Sequence, residues 1–281
     1  MKEEELIDRL IDLAFAEDIG DGDHTTLCSI PTTETGSSRL LVKEKGILAG
    51  VEMAEKVFHR FDPLLSMEVF IHDGTAVQPG DMAFIVSGKV QSILQTERLV
   101  LNMMQRMSGI ATLTRQYVER IKGTSARVLD TRKTTPGMRL LEKQAVKIGG
   151  GENHRIGLFD MILLKDNHVD FAGGIEKAIL GAEAYLKEIG KKLKIEIEVR
   201  NLDQLREVLS IGRVDRIMLD NFTPEKTKQA VAIVNHRVEL ESSGGITLDT
   251  IRDYAETGVD YISVGALTHS VKSLDLSLKA I

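Results

Sequence analysis

The residues of this 281-residue chain best suited to chemistry are basic side chains between positions 132 and 168. That stretch holds seven Lys and Arg against four Asp and Glu, a local balance of +3 in a chain of net charge −6. Arg132, Lys133 and Lys165 follow short apolar runs, and together with His154 and Arg155 they can form a cationic pocket. Because Arg binds carboxylate or phosphate through paired hydrogen bonds, the pattern indicates a small polyanionic substrate.

Three other cations in the same stretch have a different interpretation. Arg139, Lys143 and Lys147 recur at every fourth position, which places them on one face of a helix. We expect that face to be exposed to solvent.

Two acidic residues, Glu198 and Asp220, lie at the ends of later apolar runs. The functional interpretation is a Mg²⁺ site, because Mg²⁺ is usually bound by one or two carboxylates together with substrate phosphate oxygens. The structural alternative is that both acids only balance the charge of the lysines.

Glycine clusters lie beside the charged residues. Gly149–Gly151 precede His154 and allow the chain to approach a ligand closely. Ser243, Gly244 and Gly245 follow one late apolar run, and Gly265 follows the next. Loops after the late strands of an α/β barrel commonly bind phosphate through backbone N–H groups.

The elements that must position these residues change along the chain. A first helix ends near Ile19, short strand-like runs fill residues 38–90, and a long helix is predicted over 92–122 with a break near Gly109. From residue 128 onward, apolar runs alternate with helical stretches, which indicates parallel strands with crossover helices. Six such runs suggest a barrel short of the full eight strands: 128–129, 161–164, 195–199, 217–219, 238–241 and 261–264.

Composition excludes several other classes of protein. A net charge of −6 argues against binding to nucleic acid or to an anionic membrane surface. The single cysteine, Cys28, excludes a disulfide framework and a cysteine-based zinc site. The acidic N-terminus does not have the pattern of a signal peptide, and no apolar run approaches the length of a membrane span. We therefore expect a soluble, cytoplasmic protein.

Several motifs together resemble the quinolinate phosphoribosyltransferase family, also named carboxylating nicotinate-nucleotide pyrophosphorylases. The matching segments occur in the family's order over nearly the whole chain: 17–20, 96–102, 108–112, 130–137 (DTRKTTPG), 149–157 (GGGENHRIG), 164–168 (LKDNH), 218–221 (MLDN), 241–246 (ESSGGI) and 262–269 (ISVGALTH).

The resemblance implies an α/β fold with two domains, similar to type II phosphoribosyltransferases. Residues 1–110 would form an α/β sandwich joined by the tail 270–281, and residues 111–269 an open, incomplete α/β barrel. Family members are homodimers in which the sandwich of one subunit covers the barrel mouth of the other. The implied reaction converts quinolinate and phosphoribosyl pyrophosphate to nicotinate mononucleotide, pyrophosphate and CO₂, a step toward NAD.

By matching positions, the resemblance also implies roles for single residues. The quinolinate carboxylates would be contacted by Arg132, His154, Arg155 and Lys165, with Arg98 reaching in from the neighbouring subunit. Lys133 would lie between quinolinate and the phosphoribosyl donor as a catalytic residue, with Glu198 and Asp220 on Mg²⁺ or the ribose hydroxyls. The 5-phosphate would be held by Ser243, Gly244, Gly245 and Gly265.

Four positions qualify this assignment. Glu196 shares a strand face with Glu198, which is preferred because it lies nearer the strand end. Arg200 occupies a position where an acidic or neutral residue is expected. His168 and His269 could order a neighbouring loop or bind substrate, and the structural role is favoured.

Two alternatives stay open. One is a Schiff-base barrel enzyme with Lys165 or Lys133 as the amine, which leaves the two acids and the phosphate-like loops unexplained. Borohydride trapping with a carbonyl substrate would detect it. The other is a non-catalytic or differently specific relative, such as the similar molybdenum-transport-associated protein. The complete basic set argues against it, since a binding protein has no need for five dicarboxylate contacts.

Overall fold

The computed structural model describes residues 2–281 and has the predicted α/β class. The chain divides into two compact units. The first consists of the chain up to Arg115 together with Thr134–Gly150 and Thr268–Ile281. The second consists of Gln116–Lys133 and Gly151–Leu267. This grouping differs from the predicted domains chiefly at residues 134–150, which the prediction placed in the barrel.

The first unit is built on a four-stranded antiparallel sheet in the order β12-β1-β5-β3. The C-terminal strand pairs with β1, so the tail extends the N-terminal sheet. Phe58 and Phe84, both buried, pack edge to face with ring centroids 6.1 Å apart and join helix α3 to the sheet. The helices and strands are α1 Glu3–Ile19, α2 His24–Ser29, β1 Thr35–Val42, β2 Gly46–Ile47, α3 Val51–Phe61, β3 Ser66–Val69, β4 Ala76–Val77, β5 Met82–Lys89, α5 Arg139–Ile148 and β12 Leu276–Ala280.

The long helix α4 runs from Val90 to Arg120 without interruption, so the predicted break near Gly109 is wrong. Gly109 serves packing instead. A Cβ atom at this position would overlap the carbonyl oxygen of Lys272, so only glycine permits the C-terminal segment to lie this close to the helix.

Helix α5 is grouped with the first unit, and much of its surface is buried. Leu141, Glu142 and Lys143 are all inaccessible or nearly so. Lys143 is 1% exposed, so the expectation that it lies on a solvent-facing surface is wrong. The spacing identified the helix correctly, but a three-residue or four-residue repeat does not tell which face is covered by the rest of the protein.

The second unit is built on a six-stranded parallel sheet in the order β6-β11-β10-β9-β8-β7. Each of the six predicted strands is present, and β6 and β7 stand at opposite edges, which agrees with an open barrel. The strands are β6 Arg127–Leu129, β7 Ile162–Leu164, β8 Ile195–Val199, β9 Arg216–Asp220, β10 Glu239–Ser243 and β11 Tyr261–Ser263. The helices are α6 Asp166–Ala172, α7 Ile175–Ile189, α8 Leu202–Ile211, α9 Pro224–Val234 and α10 Ile251–Ala255, and α11 Ala266–His269 follows β11.

This sheet determines where side chains can meet. All six strands run in one direction, so their carboxyl ends lie along one edge. Ile197, Ile217 and Ile262 are inaccessible to solvent and form part of the core. Among residues 2–281, no helix has both the length and the apolar character needed to cross a membrane.

Candidate active site

The second unit carries every predicted site residue except one. At the carboxyl edge, the structure places Arg132 and Lys133 after β6, Lys165 after β7, Glu198 in β8, Asp220 and Ser243 as the last residues of β9 and β10, Gly244 and Gly245 after β10, and Gly265 after β11. His154 and Arg155 belong to the same unit. Arg98 lies on α4 in the first unit, with its side chain exposed.

Glu198 and Asp220 form an acidic pair on neighbouring strands. Burial raises the pKa of Glu198, and the negative charge of Asp220 raises it further. Lys165 offsets part of this effect, since its Nζ lies 3.7 Å from a Glu198 carboxylate oxygen. Two carboxylates that repel each other in a half-buried position favour a bound cation.

Arg132 and Arg155 form the opposite kind of pair. Burial, followed by the charge of Arg132, lowers the pKa of Arg155. The Nε groups of both residues are buried and have no hydrogen-bond acceptor in the described protein, although Arg155 Nη1 donates to Met161 O over 3.2 Å. Two cations that repel each other and keep buried Nε–H groups without acceptors are costly, so this pair favours an anionic ligand that accepts their hydrogen bonds.

His154 is held through its backbone and both ring nitrogens. Its N–H donates to Asp130 Oδ1 over 2.8 Å, and its Nδ1 accepts the Arg155 N–H over 2.7 Å. Nε2 lies 2.9 Å from a carboxylate oxygen of Glu196 and 3.4 Å from one of Glu241. Because Nδ1 is an acceptor, the ring proton sits on Nε2 and faces the two carboxylates.

The two carboxylates dominate the electrostatics of this ring. Burial alone would lower the pKa of His154, but hydrogen bonds to Glu196 and Glu241 and their charges outweigh it and raise the pKa to about 9. A second proton would have to displace the Arg155 N–H from Nδ1, so the geometry supports a strongly held Nε2 proton. Burial and Glu241 raise the pKa of Glu196 to about 7.

The loops after β9 and β10 approach each other closely. Asn221 N donates to Ser243 O over 2.8 Å, and Asn221 Nδ2 donates to Asp220 Oδ2 over 2.8 Å. A Cβ atom at Gly244, whose φ is +103°, would overlap the Asn221 side chain. Gly244 and Gly245, both with positive φ, give the turn a backbone shape that suits an anion.

Two matches with known family models decide the family. The model described as "Quinolinate phosphoribosyl transferase, N-terminal domain" matches residues 23–108. The model of the C-terminal domain of the same family matches residues 110–279. The chain belongs to the quinolinate phosphoribosyl transferase family.

Relatives of this quinolinate phosphoribosyl transferase family member include plant and bacterial proteins. A Nicotiana tabacum quinolinate phosphoribosyltransferase [decarboxylating] is 46% identical, covering 96% of this chain and 81% of its own length. A Bacillus subtilis protein named probable nicotinate-nucleotide pyrophosphorylase [carboxylating] is 40% identical, covering 96% of this chain and 92% of its own length. The crystal structure of NadC from Streptococcus pyogenes has a TM-score of 0.93 and 39% identity, covering 100% of this chain and 99% of its own. These matches do not favour the Schiff-base enzyme or the molybdenum-transport-associated protein.

Sequence reasoning missed the polar centre of this family member's barrel. Glu241 is fully buried, and its Oε2 lies 3.1 Å from Arg216 Nη1. The Arg216 guanidinium stacks over the Tyr261 ring at 3.9 Å from the centroid. The signal was present, because the alternating runs 195–199 (IEIEV) and 238–241 (VELE) put two Glu on one strand face each. Charged side chains seldom fill a barrel interior, so alternating Glu residues in a strand do not by themselves predict a buried charged cluster.

Arg200 has a clear structural place despite being unexpected in the sequence. Its Nη2 lies 3.0 Å from Asp166 Oδ2 and 3.3 Å from Asp170 Oδ2, so it ties the end of β8 to helix α6. Helix α6 begins directly after Lys165, whose N–H donates to His168 Nδ1 over 2.9 Å. This hydrogen bond places His168 in the first turn of α6, and its structural role stays a prediction.

Proposed function

We propose that the chain is a decarboxylating quinolinate phosphoribosyltransferase that acts in NAD biosynthesis. It converts quinolinate and phosphoribosyl pyrophosphate to nicotinate mononucleotide, pyrophosphate and CO₂. The observation that carries the proposal is the pair of interacting guanidinium groups of Arg132 and Arg155, whose buried Nε atoms have no acceptor within the described residues. In a chain of this family, a dicarboxylate is the ligand that satisfies such a pair.

Quinolinate is held by its two adjacent carboxylates. Arg132 and Arg155 supply planar donors for them, and Lys165 adds a third cation at the end of β7. His154, which the resemblance assigns to the same group, contributes by holding the Arg155 backbone through Nδ1. The clamp fixes the pyridine nitrogen in one orientation, which is what a reaction between two bound substrates requires.

The phosphoribosyl donor is held by the loops after the late strands. We expect backbone N–H groups of the Ser243–Gly245 turn and of Gly265 to bind the 5-phosphate, because both segments follow late strands of the sheet. The family resemblance puts Lys133, the residue after Arg132, between the dicarboxylate clamp and the donor. Its cationic side chain favours the negative charge that develops on departing pyrophosphate.

Glu198 and Asp220 fit a Mg²⁺ ion. They are hard oxygen donors on adjacent strands, and burial and the charge of Asp220 raise the pKa of Glu198 although Lys165 and Arg200 act against this. Bound Mg²⁺ neutralises pyrophosphate charge and so makes it a better leaving group. The same carboxylates can also accept hydrogen bonds from the ribose hydroxyls.

The chemistry then needs positioning more than it needs a covalent group. The pyridine nitrogen forms a bond to the anomeric carbon as the bond from that carbon to pyrophosphate oxygen breaks. The ring nitrogen becomes positively charged, so the electron pair released when the adjacent carboxylate leaves as CO₂ is stabilised on the ring. A proton then takes the place of the lost carboxylate. The exposed Cys28 lies on α2 in the first unit and takes no part.

The active assembly is a homodimer in the cytoplasm. Arg98, exposed on α4, then completes the quinolinate site of the neighbouring subunit. The family resemblance supports this arrangement.

The test is an assay with quinolinate, phosphoribosyl pyrophosphate and Mg²⁺ that follows CO₂ and nicotinate mononucleotide together. We expect equal amounts of both products, and loss of both with EDTA. Absence of both products from a folded dimer would overturn the proposed reaction. Formation of the nucleotide from nicotinate without CO₂ would leave the phosphate loops correct and the dicarboxylate clamp wrong.

A further inference from the structure

We propose that Glu241 and Arg216 are positioning residues for the quinolinate clamp and that they act on it through His154. This inference rests on the proposed function. It concerns side chains inside the barrel that touch neither substrate nor Mg²⁺.

Glu241 lies between a guanidinium group and an imidazole N–H in the centre of the unit. It is fully buried on β10, and its Oε2 lies 3.4 Å from His154 Nε2 and 3.1 Å from Arg216 Nη1. A carboxylate fixed between a guanidinium group and an imidazole N–H cannot rotate without breaking one of the two contacts. Through Glu241, Arg216 therefore helps to set where the His154 ring lies, together with Glu196, whose carboxylate is 2.9 Å from Nε2.

Arg216 is itself fixed on several sides. It is the first residue of β9, with only 8% of its side chain exposed, and its guanidinium stacks over the Tyr261 ring. Tyr261 also lies under the guanidinium of Arg127, whose carbon is 4.4 Å from the ring centroid. The rigid end of the network is thus at the amino ends of the strands, away from the edge that carries Asp220.

His154 passes this rigidity to the clamp. Its ring Nδ1 accepts the backbone N–H of Arg155, and its backbone N–H donates to Asp130. The ring orientation therefore fixes the backbone from which the Arg155 side chain starts. Arg155 then has little freedom, since Nη1 already donates to Met161 O. A displaced His154 ring would move the Arg155 guanidinium away from the quinolinate carboxylate.

Stability alone does not explain why such a network is charged. Replacing a buried set of ion pairs by well-packed apolar side chains is often neutral or stabilising. Holding a ligand-binding guanidinium in one orientation does require directional contacts. The network therefore fits a positioning role better than a stabilising one.

The experiment measures KM for each substrate separately in Glu241→Gln and Arg216→Lys. We expect KM for quinolinate to rise about 10-fold to 100-fold, the usual size for groups that orient a binding side chain, and KM for phosphoribosyl pyrophosphate to stay within about twofold. Glu239→Gln is the control, because Glu239 lies on the same strand and pairs with Arg216 at 3.2 Å but has no contact with His154. It should leave both constants within about twofold of the wild type.

A spectroscopic readout tests the same contact without activity. In protein labelled with ¹⁵N-histidine, the Nε2 signal of His154 should shift in Glu241→Gln and stay unchanged in Glu239→Gln. An unchanged signal in both variants would overturn the proposed contact.

The outcomes separate this inference from the reaction itself. If the wild type forms no nicotinate mononucleotide, the proposed function is wrong, and the NMR measurement still tests the contact with His154. If the wild type is active and the folded variants keep the quinolinate KM, the inference is overturned and the function stands. An equal rise of both KM values, or failure of both variants to fold, would show a stabilising role and also overturn it.

Discussion

Glu142 is fully buried on α5, and its carboxylate accepts a hydrogen bond from Arg106 Nε of α4 over 2.7 Å. The same carboxylate accepts the Thr135 N–H over 3.2 Å, and Arg106 Nη2 donates to Thr135 Oγ1 and Thr268 O. One ion pair therefore holds together two helices, the turn after Lys133 and the start of the C-terminal segment.

The Glu142→Gln variant should be markedly less stable. Removing one partner of a buried ion pair leaves the Arg106 charge uncompensated, which typically costs about 3–5 kcal/mol. Urea denaturation should show a lower midpoint with an unchanged slope. Glu44→Gln is the control, because the Glu44–Lys272 pair is exposed and its loss should leave the midpoint unchanged. Equal midpoints for the two variants would contradict the role of Glu142.

Arg132→Ala should abolish turnover while leaving the fold intact. The variant loses a bidentate donor to a quinolinate carboxylate, and we expect kcat/KM to fall by at least about a hundredfold. Steady-state kinetics with quinolinate as the varied substrate measure this. Arg132→Lys keeps the charge but not the paired donors, so it should recover only part of the activity. Normal saturation by quinolinate in Arg132→Ala would rule out the clamp.

Two inactive variants should restore activity when mixed. Each site is proposed to take Lys165 from its own subunit and Arg98 from the neighbouring subunit. In a dimer of one Arg98→Ala and one Lys165→Ala subunit, one site therefore carries both substitutions and the other is intact. Random exchange of subunits should give about a quarter of the wild-type activity. Size-exclusion chromatography of differently tagged subunits must show that mixed dimers form. If they form and remain inactive, Arg98 does not act across the interface.

Glu198→Gln should make the protein more stable in the absence of Mg²⁺ and less active in its presence. Burial and Asp220 raise the pKa of Glu198 above its usual value, so ionisation of this group penalises the folded state. The penalty is absent at low pH and appears as the pH rises through the raised pKa. Thermal melts from pH 4 to 8 in EDTA should therefore show that the melting temperature of Glu198→Gln exceeds that of the wild type by an amount that grows with pH. A difference that stays constant with pH would contradict this cause.

Arg200→Glu should lower the Mg²⁺ concentration needed for half-maximal activity and raise KM for phosphoribosyl pyrophosphate. Arg200 lowers the pKa of Glu198 through its charge, as a smaller effect than burial, and an acid at position 200 would add to the negative potential there. Half-maximal activity should then need less Mg²⁺, and KM for the anionic donor should rise. Arg200→Gln serves as the control and should lie between the two. Shifts in the same direction for both ligands would contradict an electrostatic role.

The sequence located the parallel strands well because each is an isolated apolar run between turn-forming residues, and the charged rim followed from where those runs end. It failed where the outcome depends on distant partners. The need for glycine at position 109 depends on the nearby Lys272 carbonyl, and the burial of Lys143 depends on what covers α5. The Glu196, Glu241 and His154 cluster likewise joins segments far apart in the chain, and no local pattern shows that they meet.

The pairing of β12 with β1 has a consequence for the order of events during synthesis. Strand β1 ends at Val42, yet β12, one of its two neighbours in the sheet, begins at Leu276. Contacts of such long sequence separation form slowly, and an unpaired strand edge exposed in the meantime invites association with other chains. While the ribosome completes the intervening segments, the edge of β1 has no permanent neighbour. The nascent chain must therefore keep this edge protected until its last strand emerges.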